Sequence, residues 1–160
     1  MVDALKIITV GDERLRDCSA EIAEFNGYLH DLVENMFETM HRGNGIGLAG
    51  VQVGQLIRVF ITDVPQDTRR VFINPELVYT SVEEVTLEEG CLSIPQKYAE
   101  VIRPEAVTIQ AFNEKGRPFT CSAEDMLARV ILHELDHLNG VLFIDHISER
   151  RKNQILKSFL

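Results

Sequence analysis

Residues 122–140 read SAEDMLARVILHELDHLNG. Met126, Leu127, Val130, Ile131, Leu132, Leu135 and Leu138 surround the axis if this window is helical. A helix that is apolar on nearly all sides belongs in a core. Ser122 stands at a capping position with Asp125 three residues on, a capping-box pattern. Asn139-Gly140 supplies the stop. The window therefore predicts a buried helix over residues 123–139. Set into it is His133-Glu134-Leu135-Asp136-His137. Histidines four apart share one helix face, one turn from each other, so both imidazoles can bind one metal ion. Glu134, beside the first of them, can reach a water on that ion. A solvated helix with two surface histidines and a salt-bridging Glu would carry the same five residues, but its other faces would not be apolar. Buried imidazoles and a buried carboxylate without partners are costly. A metal ion is such a partner.

Working outward, residues 26–42 give a second helical pattern, with Leu29, Leu32, Val33, Met36, Phe37 and Met40 on one stripe. Asn26 is placed to cap it and Gly43 to end it. His30 and His41 have no partner at ligand spacing and read as surface or cap residues. Gly43–Gly47 is turn-prone. Residues 56–61, 70–73, 78–87, 98–103, 106–112 and 118–121 read as strands rich in β-branched and aromatic residues, with Asn74-Pro75 breaking the second. Asn113–Gly116 is a hairpin turn. The connections are too short for helical crossovers, so pairing is expected to be antiparallel. A short helix over 148–160 closes the chain. The fold class expected is α+β: antiparallel sheets packed around the central buried helix, with an N-terminal and a short C-terminal helix.

The chain has 160 residues, 45% hydrophobic and 26% charged. That composition suits a single globular domain spanning 1–160. No apolar run is long enough to span a bilayer, and Met1–Val10 lacks a signal-peptide pattern, so a cytoplasmic protein without a membrane partner is expected. A net charge of −9 excludes bulk electrostatic attraction to nucleic acid. The one basic cluster is Arg150, Arg151, Lys152 and Lys157, read as a solvated helix end. Three cysteines, Cys18, Cys91 and Cys121, are too few for a disulfide framework. Cys18 and Cys121 have no chemical neighbours in sequence and read as small buried hydrophobes.

A catalytic site of the His-Glu-x-x-His type needs a third protein ligand and an open position. Downstream candidates are Asp145, His146 and Glu149. Upstream, Glu88-Glu89-Gly90-Cys91-Leu92-Ser93 offers a thiolate, a strong ligand for a divalent first-row metal. Cys91 follows a glycine at a strand end, which on its own is also the setting of a structural cysteine. The third stretch is Gly45-Ile46-Gly47-Leu48-Ala49-Gly50-Val51-Gln52. It lacks the Lys-Ser/Thr ending of a phosphate loop and no strand leads into it. Its glycines allow close backbone approach to a substrate, and Gln52 offers an amide donor suited to an oxyanion. A tight turn of small residues is the other reading of this stretch.

Taken together and in this order, GIGLAGVQ, EGCLSIP and HELDH resemble the peptide deformylase family, in its compact bacterial form. The likeness runs along essentially the whole chain. Departures are small: Gly50 stands where Ala is usual, Leu132 where Gln is common, and Glu13 where Pro is common. The resemblance implies a hydrolase that removes the N-formyl group from the initiator methionine of nascent polypeptides and releases formate. It implies one divalent metal ion on Cys91, His133 and His137, commonly ferrous iron, with nickel, cobalt or zinc as substitutes. Glu134 is then the acid/base, and Gln52 with the backbone N–H of Leu92 meets the oxyanion. Ile46, Gly47, Leu87, Met126 and Val130 would line the methionine pocket. Some relatives are thought to dock on the ribosome through the C-terminal helix, and the basic cluster lies on that helix here.

Two expectations stay open. Glu89 either orients a ligand histidine or forms a salt bridge, for instance to Arg103. Rival functions are a metallopeptidase acting on internal peptide bonds, which should use a third ligand other than Cys91, and a non-catalytic ribosome-binding module, which has no use for Glu134 and Gln52.

Overall fold

In a computed structural model, residues 2–160 are described; Met1 lies outside them. Three α-helices occur: α1 (Gly27–Arg42), α2 (Asp125–Leu138) and α3 (Glu149–Lys157). The seven strands are β1 (Gly47–Ala49), β2 (Val59–Thr62), β3 (Arg70–Thr80), β4 (Glu84–Cys91), β5 (Ile94–Pro104), β6 (Ala106–Phe112) and β7 (Pro118–Glu124). A five-stranded sheet has the order β1-β2-β3-β6-β7, and β4 pairs only with β5. All strand pairs are antiparallel, as short connections require.

The large sheet is covered on both faces. Leu48, Val59, Ile61 and Ile73 face α1 and its stripe Leu29, Leu32, Val33, Met36, Phe37 and Met40. Their neighbours Ala49, Phe60 and Phe72 turn the other way, into a core built on Ala128, Ile131, Leu132 and Leu138 of α2. Side chains alternate along a strand, so a strand buried on both faces is apolar throughout; Val59–Thr62 is buried at every position. Helix α2 packs on β1, β2 and β7 and also on β5 of the hairpin. It thereby bridges the two sheets.

The α+β expectation holds, with boundary differences that have physical causes. The strand expected from Leu56 begins at Val59, because Ile57 instead bridges Ala20. Asn74-Pro75 does not end β3. Asn74 takes a left-handed φ of 49°, its side chain bonds both N–H and C=O of Ile22 at 2.8 and 2.9 Å, and the strand resumes beyond a register shift. The single strand expected over 78–87 is two, β3 and β4, separated at Ser81–Glu83. Helix α2 starts at Asp125, because β7 stays paired with β6 out to Glu124. Ser122 remains in that strand with its hydroxyl on Thr108, so the expected capping box does not form. Gly47–Ala49 of the turn-prone stretch is a strand, followed by a 3-10 turn, Gly50–Val53. At the C-terminus Ser148 is the cap of α3, accepting from Arg151 N–H, and the helix ends at Lys157. Cys121 is buried as expected but Cys18 is exposed.

Candidate metal centre

Helix α2 and strand β4 converge beside the N-terminal end of β1. Helix α2 supplies His133 and His137, buried to 8% and 1% exposure. Strand β4 supplies Cys91 at its last position. There the hairpin register jumps from Gly90↔Tyr98 to Cys91↔Ile94, so Pro95–Lys97 bulge out of β5, and the ladder is disrupted at Cys91. Gly90 is required by the same corner: a Cβ there would lie 2.6 Å from the Tyr98 ring. Cys91 Sγ lies 3.3 Å from His137 Nε2, and one donor atom from each of Cys91, His133 and His137 falls within 4.8 Å of the others. Two donors that each stand roughly 2.0–2.3 Å from a shared tetrahedral ion are about 3.3–3.8 Å apart, the range in which the Cys91–His137 pair falls. The donor set fits one divalent transition-metal ion.

None of the rival third ligands joins this cluster. Asp145 pairs with Arg16 and Lys152, His146 pairs with Asp136 at 2.8 Å, and Glu149 is exposed in the first turn of α3.

Behind the histidines lies a buried ionic layer. Glu89 Oε1 accepts from His133 Nδ1 at 2.9 Å and from Arg103 Nη2 at 3.0 Å. Its Oε2 accepts from Arg103 Nε at 2.6 Å and Arg129 Nη1 at 2.7 Å. The contacts of both roles left open for Glu89 are present at once: it holds His133, a candidate ligand, and it is salt-bridged to Arg103. A carboxylate on Nδ1 fixes the ring and leaves Nε2 as the nitrogen free to face an ion. Arg103 also donates to Asp136 at 2.9 Å.

Glu134 is 4% exposed, and its Oε1 is buried with no hydrogen-bond partner. It lies against β1, for a Cβ on Gly47 would fall 2.7 Å from Glu134 Oε2 and 2.6 Å from Val130 Cγ1. Gln52, in the 3-10 turn, is 1% exposed. Its Oε1 accepts from Ala49 N–H at 2.9 Å. That bond aims Nε2 toward Ser93 Oγ at 3.1 Å and Cys91 Sγ at 3.5 Å. Leu92 seats its side chain over Gly43 and Gly45, where added Cβ atoms would come within 3.0 and 2.9 Å of it.

Burial dominates the titration of the groups at this point. Burial pushes the Glu134 carboxyl up to about 7, opposed by the neighbouring His133. Burial and the adjacent His133 hold His137 well below the ordinary imidazole range, hence neutral. Burial works against charge on His133 too, yet its bonds to Cys91 and Glu89 outweigh it and raise its pKa. Despite burial, the His133 and Arg103 bonds hold Glu89 well below the usual carboxylate range.

The centre opens into a cavity of about 610 Å³. Ile46, Gly47, Gln52, Cys91, Leu92, Met126, Val130, His133 and Glu134 all border it, so most of the residues singled out in the sequence come together. Leu87 is not on this wall: it sits on β4 at 36% exposure. Met126 is half-exposed at the rim rather than packed in the core. Sequence reasoning missed Arg129, Ser93 and Tyr98. Arg129 left a readable signal, being the one basic residue in an otherwise apolar run, four positions before His133. Ser93 and Tyr98 left none, since the hairpin corner places them.

Comparison with known proteins agrees with this geometry. The model of the family described as polypeptide deformylase matches residues 4–153. Peptide deformylase of Brucella suis is 41% identical over 157 residues, 96% of this chain and 90% of that one. Peptide deformylase 1 of Clostridium acetobutylicum is 48% identical over 143 residues, covering 89% and 94% of the two chains. The crystal structure of the Ehrlichia chaffeensis peptide deformylase in complex with actinonin superposes with a TM-score of 0.96 at 36% identity, covering 98% of this chain and 96% of that one. With a fold, a donor set and a family model in agreement over nearly its whole length, the chain belongs to the polypeptide deformylase family.

Proposed function

We propose that residues 1–160 act as one catalytic domain that hydrolyses the formyl amide of N-formylmethionyl nascent polypeptides, with Cys91, His133 and His137 holding the metal. The observation that carries this reading is the three-donor cluster set directly beside the unpartnered, buried Glu134 carboxylate. A divalent ion held there supplies Lewis acidity, for activating water and polarising the formyl carbonyl. A mixed thiolate and imidazole set suits several first-row metals; ferrous iron is the ion proposed, with nickel, cobalt or zinc as substitutes.

Glu134 accepts the proton of the attacking water and delivers it to the departing amine, releasing formate. A carboxyl whose pKa lies near the working pH is efficient in both directions. The Gln52 amide is already held by Ala49 N–H, so its donor is preorganised toward the charge that develops on the formyl oxygen. The Leu92 backbone N–H is the second donor. Gly47, with no Cβ to meet Glu134 and Val130, lets β1 lie close beside the acid/base and offers its backbone to the substrate. Ile46, Val130 and Met126 offer apolar wall for the methionine side chain; Leu87, on the far part of β4, is assigned at most the outer edge of that subsite.

No helix among the described residues is long and apolar enough to cross a membrane, which suits a cytoplasmic enzyme working on chains as they emerge. Arg150 and Lys157 lie exposed on α3 and are the contacts proposed for the ribosome. Lys152 is less available, paired with Asp145 at 3.0 Å.

The direct test compares formyl-Met-Ala with unformylated Met-Ala-Ala on anaerobically prepared enzyme. Formate from the first and no cleavage of the second is expected. Cleavage of the unformylated peptide would move the protein to the peptidases.

A further inference from the structure

Arg129 lies one helical turn before His133 on α2 and is 4% exposed. A buried guanidinium is costly unless its donors find acceptors; Arg129 Nε has none, but both terminal nitrogens do. Here they reach across to the other ligand-bearing element. Nη1 donates to Glu89 Oε2 at 2.7 Å and to the Val101 carbonyl at 2.8 Å. Nη2 donates to the Val85 carbonyl at 2.7 Å. One side chain on the helix that carries both histidines thus grips β4, which carries Cys91 and Glu89, and its partner β5. Arg103 cannot replace it, because Arg103 is itself on β5 and reaches α2 only through the Asp136 carboxylate.

We propose that Arg129 is a positioning residue for the metal: its planar fork sets the spacing between helix α2 and the end of β4, and so the distance of Cys91 from the two histidines. The inference rests on the reading of Cys91, His133 and His137 as ligands. It predicts that the fork, not the charge, is what counts. A lysine keeps the charge but is a single ammonium on a flexible stem, and cannot meet Glu89, Val85 and Val101 together.

The test loads wild-type protein, Arg129→Lys and Arg129→Met with Co²⁺. Affinity is read by competition with a chelator, and the thiolate-to-cobalt and ligand-field bands are read by absorption. Arg129→Lys should bind Co²⁺ about tenfold more weakly, within the range of lost outer partners of metal ligands, with shifted ligand-field bands; Arg129→Met should lose at least as much. Arg129→Lys is the milder change and keeps the test open if Arg129→Met does not fold. Wild-type affinity and spectrum in Arg129→Lys, even with a lowered melting temperature, would overturn the proposal and leave Arg129 a purely structural clasp. Failure of the wild-type protein to bind Co²⁺ would overturn the ligand assignment itself.

Discussion

Helices α1 and α2 lie on opposite faces of one sheet and treat charge in opposite ways. The buried side of α1 is Leu29, Leu32, Val33, Met36, Phe37, Thr39 and Met40, with no ionisable group among them. Its charges stay at the surface, as in the Arg42–Glu38 pair at 2.7 Å. Such pairs contribute little. Helix α2 buries Arg129, His133, Glu134 and His137 among its apolar residues. Burying four ionisable groups works against folding unless each has a partner. Glu89 and two backbone carbonyls meet both terminal nitrogens of Arg129, and Glu89 also holds His133. The atoms of these four side chains left without protein partners are Arg129 Nε, Glu134 Oε1 and His137 Nδ1. The difference teaches where stability was given up: α1 is built for packing, and α2 is built around a reaction.

Substitutions on the two helices should therefore separate cleanly. The largest effect is expected for Glu134→Ala, with turnover down about 10⁴-fold, the upper range for a lost acid/base, while metal content stays at the wild-type level. Metal-free Glu134→Ala protein would show that Glu134 is part of the ligand set. Next is Gln52→Leu, which removes a preorganised donor; kcat should fall about 100- to 1,000-fold, as for lost oxyanion donors elsewhere. Unchanged kcat would remove Gln52 from the reaction. On the other face, Met36, fully buried at 0% exposure, is expected to cost about 3 kcal/mol of stability on conversion to Ala, measured by urea unfolding. Metal affinity and kcat should not move; if they do, the sheet does not insulate the two faces.

The smallest effect concerns the ion pairs that tie α3 and the chain start. Burial alone would raise Asp145, but Arg16, the Leu142 N–H and Lys152 lower it to about 2 from an ordinary 3.8. A carboxyl depressed in the folded state contributes stability above its ordinary pKa and loses it as the pH falls through the folded one. Asp145→Asn should thus destabilise by about 1 kcal/mol at neutral pH, after discounting for solvent screening. The gap between the two proteins should close between about pH 4 and pH 2. A gap that persists at low pH would assign the effect to packing.

Much of this was legible in the sequence, for reasons that differ by region. Helix α1 announced itself by period and caps because its partner is a flat apolar surface. The His133–His137 pair was legible because ligands on one helix turn have a fixed spacing. Cys91 was harder: only the hairpin register shift brings it to His137, and no local pattern encodes that. The start of α2 was misplaced because β6–β7 pairing outcompeted a good local cap at Ser122. Asn74-Pro75 did not break β3, because the Asn74 side chain bonds Ile22, 52 positions away. Arg129 was passed over since its three acceptors lie on β4 and β5, which have no fixed sequence distance from it.

The central claim is that Cys91, His133 and His137 hold one metal ion and Glu134 does not. Metal content by elemental analysis, on wild-type, Cys91→Ser and Glu134→Ala proteins purified anaerobically side by side, tests it most directly. About one equivalent is expected in wild-type and Glu134→Ala protein and a large loss in Cys91→Ser, because a hydroxyl is a far poorer ligand than a thiolate. Full occupancy in Cys91→Ser, or none in the wild type after reconstitution, would contradict it.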